Sequence, residues 1–125
     1  MSSRWILVVD DDEDIRDTLM LLLDMEGYAV IGASNGLDAL QQIRAHGRPG
    51  MILLDLRMPC MHGEEFAAAL HADPALALAP IVVFSGDANA PEVASGMGAQ
   101  ALLKKPVELT ELVDVVRRVM PDGRS

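Results

Sequence analysis

The sequence contains few cysteines, basic residues and aromatic residues, and these shortages exclude several classes of protein. Its single cysteine, Cys60, makes an intrachain disulfide impossible, which suits a reducing compartment such as the cytoplasm. Ten basic residues stand against 19 acidic ones, and the formal net charge of -9 opposes direct contact with nucleic acid. No apolar run approaches the roughly 20 residues that cross a bilayer. We therefore expect a cytoplasmic protein without membrane insertion or direct nucleic-acid binding.

Aliphatic residues must form the core, because only 3% of the residues are aromatic while half are apolar. A chain of 125 residues matches one domain of ordinary size. We expect a single domain over residues 1–125, with a core at about residues 5–120 and a tail at residues 121–125.

Five short apolar runs are rich in Val, Ile and Leu, and most do not alternate with polar residues. This pattern is typical of parallel strands that are buried on both faces. The runs are Ile6–Val9, Tyr28–Ala33, Met51–Leu54, Ile81–Phe84 and Ala101–Leu103.

Segments with helical spacing of apolar residues follow each run. The stripes are Ile15, Leu19 and Leu22; Leu37, Leu40 and Ile43; Phe66 and Leu70; Val93 and Met97; and Leu109, Leu112, Val113 and Val116. Five β-α units in succession predict an α/β fold, a doubly wound five-stranded parallel sheet with helices on both faces. We expect the flavodoxin-like strand order 2-1-3-4-5.

Ligands of such sheets bind beyond the carboxyl ends of the strands, where the strand order reverses. Asp10 and Asp11 follow the first run and Asp55 follows the third, and these two strands are neighbours in the expected order. Ser85 and Gly86 follow the fourth run, and Lys105 follows the fifth. By contrast, we interpret two other groups of polar residues as helix caps only: Asp12 or Asp14, and the segment 34–36.

These residue types suit phosphoryl transfer to a carboxylate. Clustered carboxylates repel one another and favour a hard divalent cation with oxygen ligands, such as Mg²⁺. An aspartate can attack phosphorus to form an acyl phosphate, while a cation, an ammonium group and a hydroxyl stabilise the transferring group. Asp55, Lys105 and Ser85 fill these roles, and Gly86 leaves space beside the phosphoryl group.

Four segments resemble the receiver domains of two-component response regulators, such as the single-domain chemotaxis regulators. They are Val8–Asp12, Leu54–Pro59, Phe84–Gly86 and Lys104–Pro106, and the resemblance extends from Ile6 to Met120. The resemblance implies a phosphoacceptor that catalyses only its own phosphorylation and dephosphorylation, and therefore no enzyme acting on an external substrate.

The resemblance also assigns a role to each site residue. Asp55 is the expected phosphoacceptor, and the expected Mg²⁺ ligands, with Mn²⁺ as an alternative metal, are Asp10, Asp11, Asp55 and the backbone carbonyl of Arg57. Ser85 is the expected switch hydroxyl, and Lys105 is expected to pair with the phosphoryl group. Pro106 is similar to the family's cis-linked proline.

The implied partners are a sensor histidine kinase or histidine phosphotransfer protein as phosphoryl donor, and a downstream protein target. Small donors such as acetyl phosphate are expected to serve as well. The family's usual contact surface is the face of the fourth helix, fifth strand and fifth helix. We expect a monomer or a phosphorylation-dependent dimer, either as a stand-alone regulator or as the receiver of a longer protein.

Three positions depart from the family pattern. Leu102 stands where an aromatic residue is common, so it can repack but has no hydroxyl to move. His62 replaces a common aspartate and is interpreted as a solvated loop residue, with metal binding as a minor alternative. Gly86 replaces a commoner alanine, which predicts a looser loop before the fourth helix.

Two other functions compete with the phosphorylated switch. A receiver that works without phosphate would not need the complete set of acids, serine and lysine. A phosphatase of the haloacid dehalogenase type would need a second aspartate two residues after its nucleophile, and that position holds Arg57.

Overall fold

The computed structural model describes residues 5–56, 63–77 and 79–120, without the side chains of Gly63 and Glu64. Five strands alternate with five helices along the chain, as the apolar pattern predicts. The strands are β1 (Trp5–Val9), β2 (Ala29–Ala33), β3 (Met51–Asp55), β4 (Ile81–Ser85) and β5 (Ala101–Lys104). The helices are α1 (Glu13–Met25), α2 (Gly36–His46), α3 (Gly63–Ala72), α4 (Ala90–Gly96) and α5 (Leu109–Val119).

All strand pairs are parallel, and the order is β2-β1-β3-β4-β5, which confirms the predicted fold class. The register pairs Val9 with both Ala33 and Leu54, and Asp55 with Phe84. The carboxyl ends of β1 and β3 therefore lie side by side at the point where the strand order reverses.

Two apolar clusters cover the two faces of the sheet. One joins alternate strand residues to α2, α3 and α4, and the other joins the intervening strand residues to α1 and α5. Strands β3 and β4 are buried throughout, whereas the edge strands β2 and β5 are partly exposed. Burial of both faces explains why the central strands have no polar alternation.

Two residues of the predicted helical stripes are exposed. Leu37 is 50% exposed and Leu109 is 44% exposed, so these two stripes are not buried along their whole length. Both lie in the first turn of their helix, which begins beyond the carboxyl ends of the strands, where the sheet offers no surface to cover them. Later turns supply the buried contacts of α5, among them Val115, which the stripe omitted.

The helix caps agree with the sequence. Asp12 caps α1, because its side chain accepts hydrogen bonds from the backbone N–H groups of Asp14 and Ile15. Asn35 caps α2 by accepting from the N–H of Asp38. Within the described ranges, every helix is too short or too polar to cross a bilayer.

Candidate functional site

Three carboxylates meet where β1 and β3 end. Asp10 is completely buried and Asp55 is 4% exposed, whereas Asp11 lies at the surface. One carboxylate oxygen from each residue lies within 4.8 Å of the others. The parallel pairing of β1 with β3 causes this approach, because Asp10 follows Val9 and Asp55 follows Leu54 in the same register.

Lys105 brings a positive charge to this cluster. Its Nζ atom lies 3.5 Å from Asp10 Oδ2 and 3.5 Å from Asp55 Oδ2, so a single ammonium group bridges both buried carboxylates. The same Nζ lies 4.9 Å from the centre of the Phe84 ring, a distance that allows a cation–π contact. The loop after β5 is held by the Lys105 N–H, which donates to the Ser85 carbonyl at 3.1 Å.

Ser85 ends β4 beside the carboxylates and is 3% exposed. Its Oγ accepts a hydrogen bond of 3.1 Å from the Asp87 N–H, and its hydroxyl hydrogen has no acceptor among the described residues, so it can be donated to a ligand. A Cβ added to Gly86 would meet the Lys105 Cβ at 3.9 Å, an ordinary van der Waals distance, so an alanine would fit there.

The loop between β1 and α1 holds Asp10 by its backbone and its side chain. The Asp10 N–H donates to the Ala33 carbonyl at 3.1 Å, and the Arg16 Nη1 donates to the Asp10 carbonyl at 2.9 Å. Asp10 Oδ1 accepts from the Asp12 N–H at 2.9 Å, which leaves Oδ2 facing Lys105.

Most of the predicted site residues that the structure describes line one open cavity of about 380 Å³. Its lining includes Asp10, Asp11, Asp55, Ser85, Gly86 and Lys105. Asp87 also lines the cavity, and it was not predicted from the sequence. A signal for it was present, because a serine followed two residues later by an aspartate is typical of a turn.

The remaining predicted positions lie outside this cavity lining or outside the described residues. Leu102 is half-buried in β5 and packs against the cluster that includes α4, and the Lys105–Pro106 peptide bond is cis. The backbone carbonyl of Arg57, and the side chains of His62 and Cys60, lie outside the described residues.

The donor set fits a small, hard divalent cation. Three carboxylates supply oxygen donors from one side, and the open cavity leaves room for the waters and phosphate oxygens that Mg²⁺ retains as ligands. The same cavity is lined by an ammonium group, which contacts Asp10 and Asp55, and by a hydroxyl, that of Ser85. These groups together can neutralise a phosphoryl group that is held against Asp55.

The chain is similar in sequence to curated proteins. The chain is 31% identical over 121 residues to sporulation initiation phosphotransferase F of Bacillus subtilis, and the match covers 97% of each protein. It is 36% identical over 114 residues to the DNA-binding response regulator MtrA of Mycobacterium tuberculosis, covering 90% of this chain and 48% of that protein. The chain thus spans about half the length of MtrA.

Solved structures share the fold. The chemotaxis protein CheY4 of Vibrio cholerae superposes with a TM-score of 0.85 at 28% identity, covering 94% of this chain and 99% of that one. A response regulator receiver protein from Pseudomonas putida gives a TM-score of 0.84 at 31% identity, covering 94% and 98%. The family model of the response regulator receiver domain matches residues 6–117. This chain therefore belongs to the response regulator receiver domain family of two-component signalling.

Proposed function

We propose that this receiver domain accepts a phosphoryl group on Asp55 in a reaction that depends on Mg²⁺. The observation that carries the proposal is the bridging contact of Lys105, whose ammonium group lies 3.5 Å from an oxygen of Asp55 and 3.5 Å from an oxygen of Asp10. An acceptor needs a carboxylate that is shielded from bulk water yet reachable from a cavity, and Asp55 meets both conditions.

The reaction is a displacement at phosphorus. An Asp55 oxygen forms a new bond to phosphorus while the P–N bond of the donor phosphohistidine breaks, and the electron pair of that bond leaves with the imidazole. With acetyl phosphate as donor, the P–O bond breaks and acetate leaves.

Asp10, Asp11 and Asp55, together with the carbonyl of Arg57, would hold the Mg²⁺. When bound, the cation offsets the negative charge of the phosphoryl oxygens. Lys105 moves its ionic contact from the Asp55 carboxylate to a phosphoryl oxygen, which keeps its charge paired throughout. Ser85 donates its free hydroxyl hydrogen to another phosphoryl oxygen.

Phosphorylation then changes partner binding through the face formed by α4, β5 and α5. Ser85 is the last residue of β4, and Lys105 directly follows β5. The Lys105 N–H donates to the Ser85 carbonyl, so a movement of either residue displaces the end of β5. Leu102 lies on this strand and packs towards α4. We expect it to repack when Ser85 turns, in place of an aromatic side chain that swings inward.

The phosphoryl donor is proposed to be a sensor histidine kinase or a histidine phosphotransfer protein, and the output a protein target. Membership of the receiver family supports the donor class. A phosphatase of the haloacid dehalogenase type is less well supported, because Arg57 occupies the position of its second aspartate.

Intact mass after incubation with acetyl phosphate tests the proposal. We expect one added phosphoryl group with Mg²⁺, none with EDTA, and none in Asp55→Asn. Asp114→Asn is the matched control, because it removes an exposed aspartate of α5 that does not line the site cavity. No adduct from either acetyl phosphate or a phosphohistidine donor would refute the acceptor role and revive a phosphate-independent receiver.

A further inference from the structure

Arg16 contacts the site from outside the cavity. It lies in the first turns of α1, and its half-buried side chain extends back towards the end of β1. There its Nη1 donates a hydrogen bond of 2.9 Å to the backbone carbonyl of Asp10. Arg16 is absent from the cavity lining, and its hydrogen bond goes to a backbone oxygen and not to a carboxylate.

Gly32 creates the room for this contact. A Cβ added at this residue of β2 would lie 2.6 Å from Met20 Sδ and 3.2 Å from Arg16 Cδ. Met20 follows Arg16 by one helical turn, so both side chains cross the strand at a point where it carries no side chain of its own. The next residue of β2, Ala33, accepts the hydrogen bond from the Asp10 N–H.

The carbonyl that Arg16 binds belongs to the peptide group between Asp10 and Asp11. A peptide group is planar, so fixing its C=O also fixes the direction of the Asp11 N–H and the position of the Asp11 Cα, from which the side chain starts. With Ala33 and Arg16 on its backbone, and Asp12 and Lys105 on its carboxylate, Asp10 is held at four points. Arg16 therefore acts on the geometry of two carboxylates at once.

We propose that Arg16 is a positioning residue for cation binding, and that Gly32 is required for it to reach its place. The proposal rests on the proposed function, since it concerns the same Mg²⁺ ligands. By orienting the peptide between Asp10 and Asp11, Arg16 brings the exposed Asp11 carboxylate into register with the buried Asp10 and Asp55. Partners that orient metal ligands in this way typically change metal affinity by about 10-fold to 100-fold.

The sign of the effect separates positioning from simple electrostatics. Arg16 carries a positive charge close to an acidic site, so its removal would strengthen cation binding if charge alone mattered. Loss of a positioning contact has the opposite result, because the carboxylates then spend less time in the binding arrangement.

The experiment measures Mg²⁺ dissociation constants by calorimetry for the wild type, Arg16→Met and Arg16→Lys, with circular dichroism to confirm folding. We expect Arg16→Met to raise the dissociation constant about 10-fold. Arg16→Lys keeps the charge and one donor group, so it should fall between the two. Arg44→Met, on the exposed face of α2, is the control for loss of an arginine and should bind like the wild type.

Two further readouts complete the test: the first is made without metal, and the second leaves Arg16 unchanged. Without metal, the Asp12 N–H that donates to Asp10 Oδ1 should exchange with solvent faster in Arg16→Met. Gly32→Ala should also weaken Mg²⁺ binding while the guanidinium remains in the chain. Its control is Gly96→Ala, since a Cβ at Gly96 meets nothing within 4 Å.

Each outcome decides between the proposals. Unchanged or tighter Mg²⁺ binding by folded Arg16→Met would overturn the positioning role and leave the proposed function intact. Failure of the wild type to bind Mg²⁺ would overturn both. If Arg16→Met does not fold, Arg16→Lys and Gly32→Ala decide, and wild-type affinity in both would overturn the inference.

Discussion

Replacing Lys105 with methionine removes the ammonium group that bridges two buried carboxylates. The methionine side chain retains most of the aliphatic length of lysine, so packing changes little, and the contact of Nζ with the Phe84 ring is lost together with the charge. Asp10 and Asp55 would then remain buried and close together without the Lys105 charge that lies 3.5 Å from each of them. We expect Lys105→Met to destabilise the metal-free protein.

The size of the effect follows from the two 3.5 Å contacts. A unit charge pair at this distance attracts by about 5 kcal/mol at an effective dielectric constant of about 20. Desolvation offsets part of this attraction, and breaking a buried pair typically costs about 3 to 5 kcal/mol. We take the lower limit, about 3 kcal/mol, because the Lys105 side chain is 27% exposed. For a domain of this size that cost lowers Tm by roughly 10 °C.

Urea unfolding in EDTA and in Mg²⁺ measures this effect. The loss in Lys105→Met should be largest in EDTA and smaller with Mg²⁺, because a bound cation replaces the missing charge and stabilises the folded state. The neighbouring Lys104 is exposed, so Lys104→Met is the matched control and should unfold like the wild type.

A double-mutant cycle isolates the ion pair. The cost of Lys105→Met should be smaller in an Asp55→Asn background, where one of the two buried charges is already gone. Equal stability of Lys105→Met and the wild type in EDTA would refute the argument, since the carboxylates would then not depend on Lys105.

Two other predictions concern residues away from the reacting groups. Tyr28→Phe should raise the free energy of unfolding by about 1 kcal/mol in urea titrations, because within the described residues the buried Tyr28 hydroxyl has no hydrogen-bond partner; a loss of stability would reveal a partner. Trp5 fluorescence should change little on Mg²⁺ binding, since Trp5 begins β1, about 16 Å from Asp10 along the strand, and its ring contacts His46; strong quenching at saturating Mg²⁺ would contradict this geometry.

The order of the elements could be predicted from sequence because each strand is a short apolar run and each helix has its own stripe. The polar residues that follow those runs were then expected to lie close together, because the carboxyl ends of parallel strands lie at one edge of the sheet. Asp10, Asp11, Asp55, Ser85 and Lys105 accordingly line one cavity. Their chemical roles remain predictions that the experiments above address.

Features that depend on side-chain reach could not be predicted. Arg16 follows Ile15 at the border of an apolar stripe. In the sequence alone, an arginine that binds a backbone carbonyl cannot be told from one that is exposed to solvent at such a position. Leu37 and Leu109 match the helical period, but periodicity carries no information on where the sheet ends beneath a helix. The contact of Lys105 with Asp10 as well as Asp55 likewise depends on the distances between side chains at the ends of β1, β3 and β5.

The identity of the phosphorylated residue tests the central claim most directly. Borohydride reduces an aspartyl phosphate to homoserine, so treatment after incubation with acetyl phosphate and Mg²⁺ marks the acceptor, and tandem mass spectrometry locates it. We predict homoserine at position 55 and nowhere else, and no homoserine when EDTA is present. Homoserine at position 10 or 11, or a stable phosphate on Ser85, would contradict the assignment of Asp55 as the phosphoacceptor.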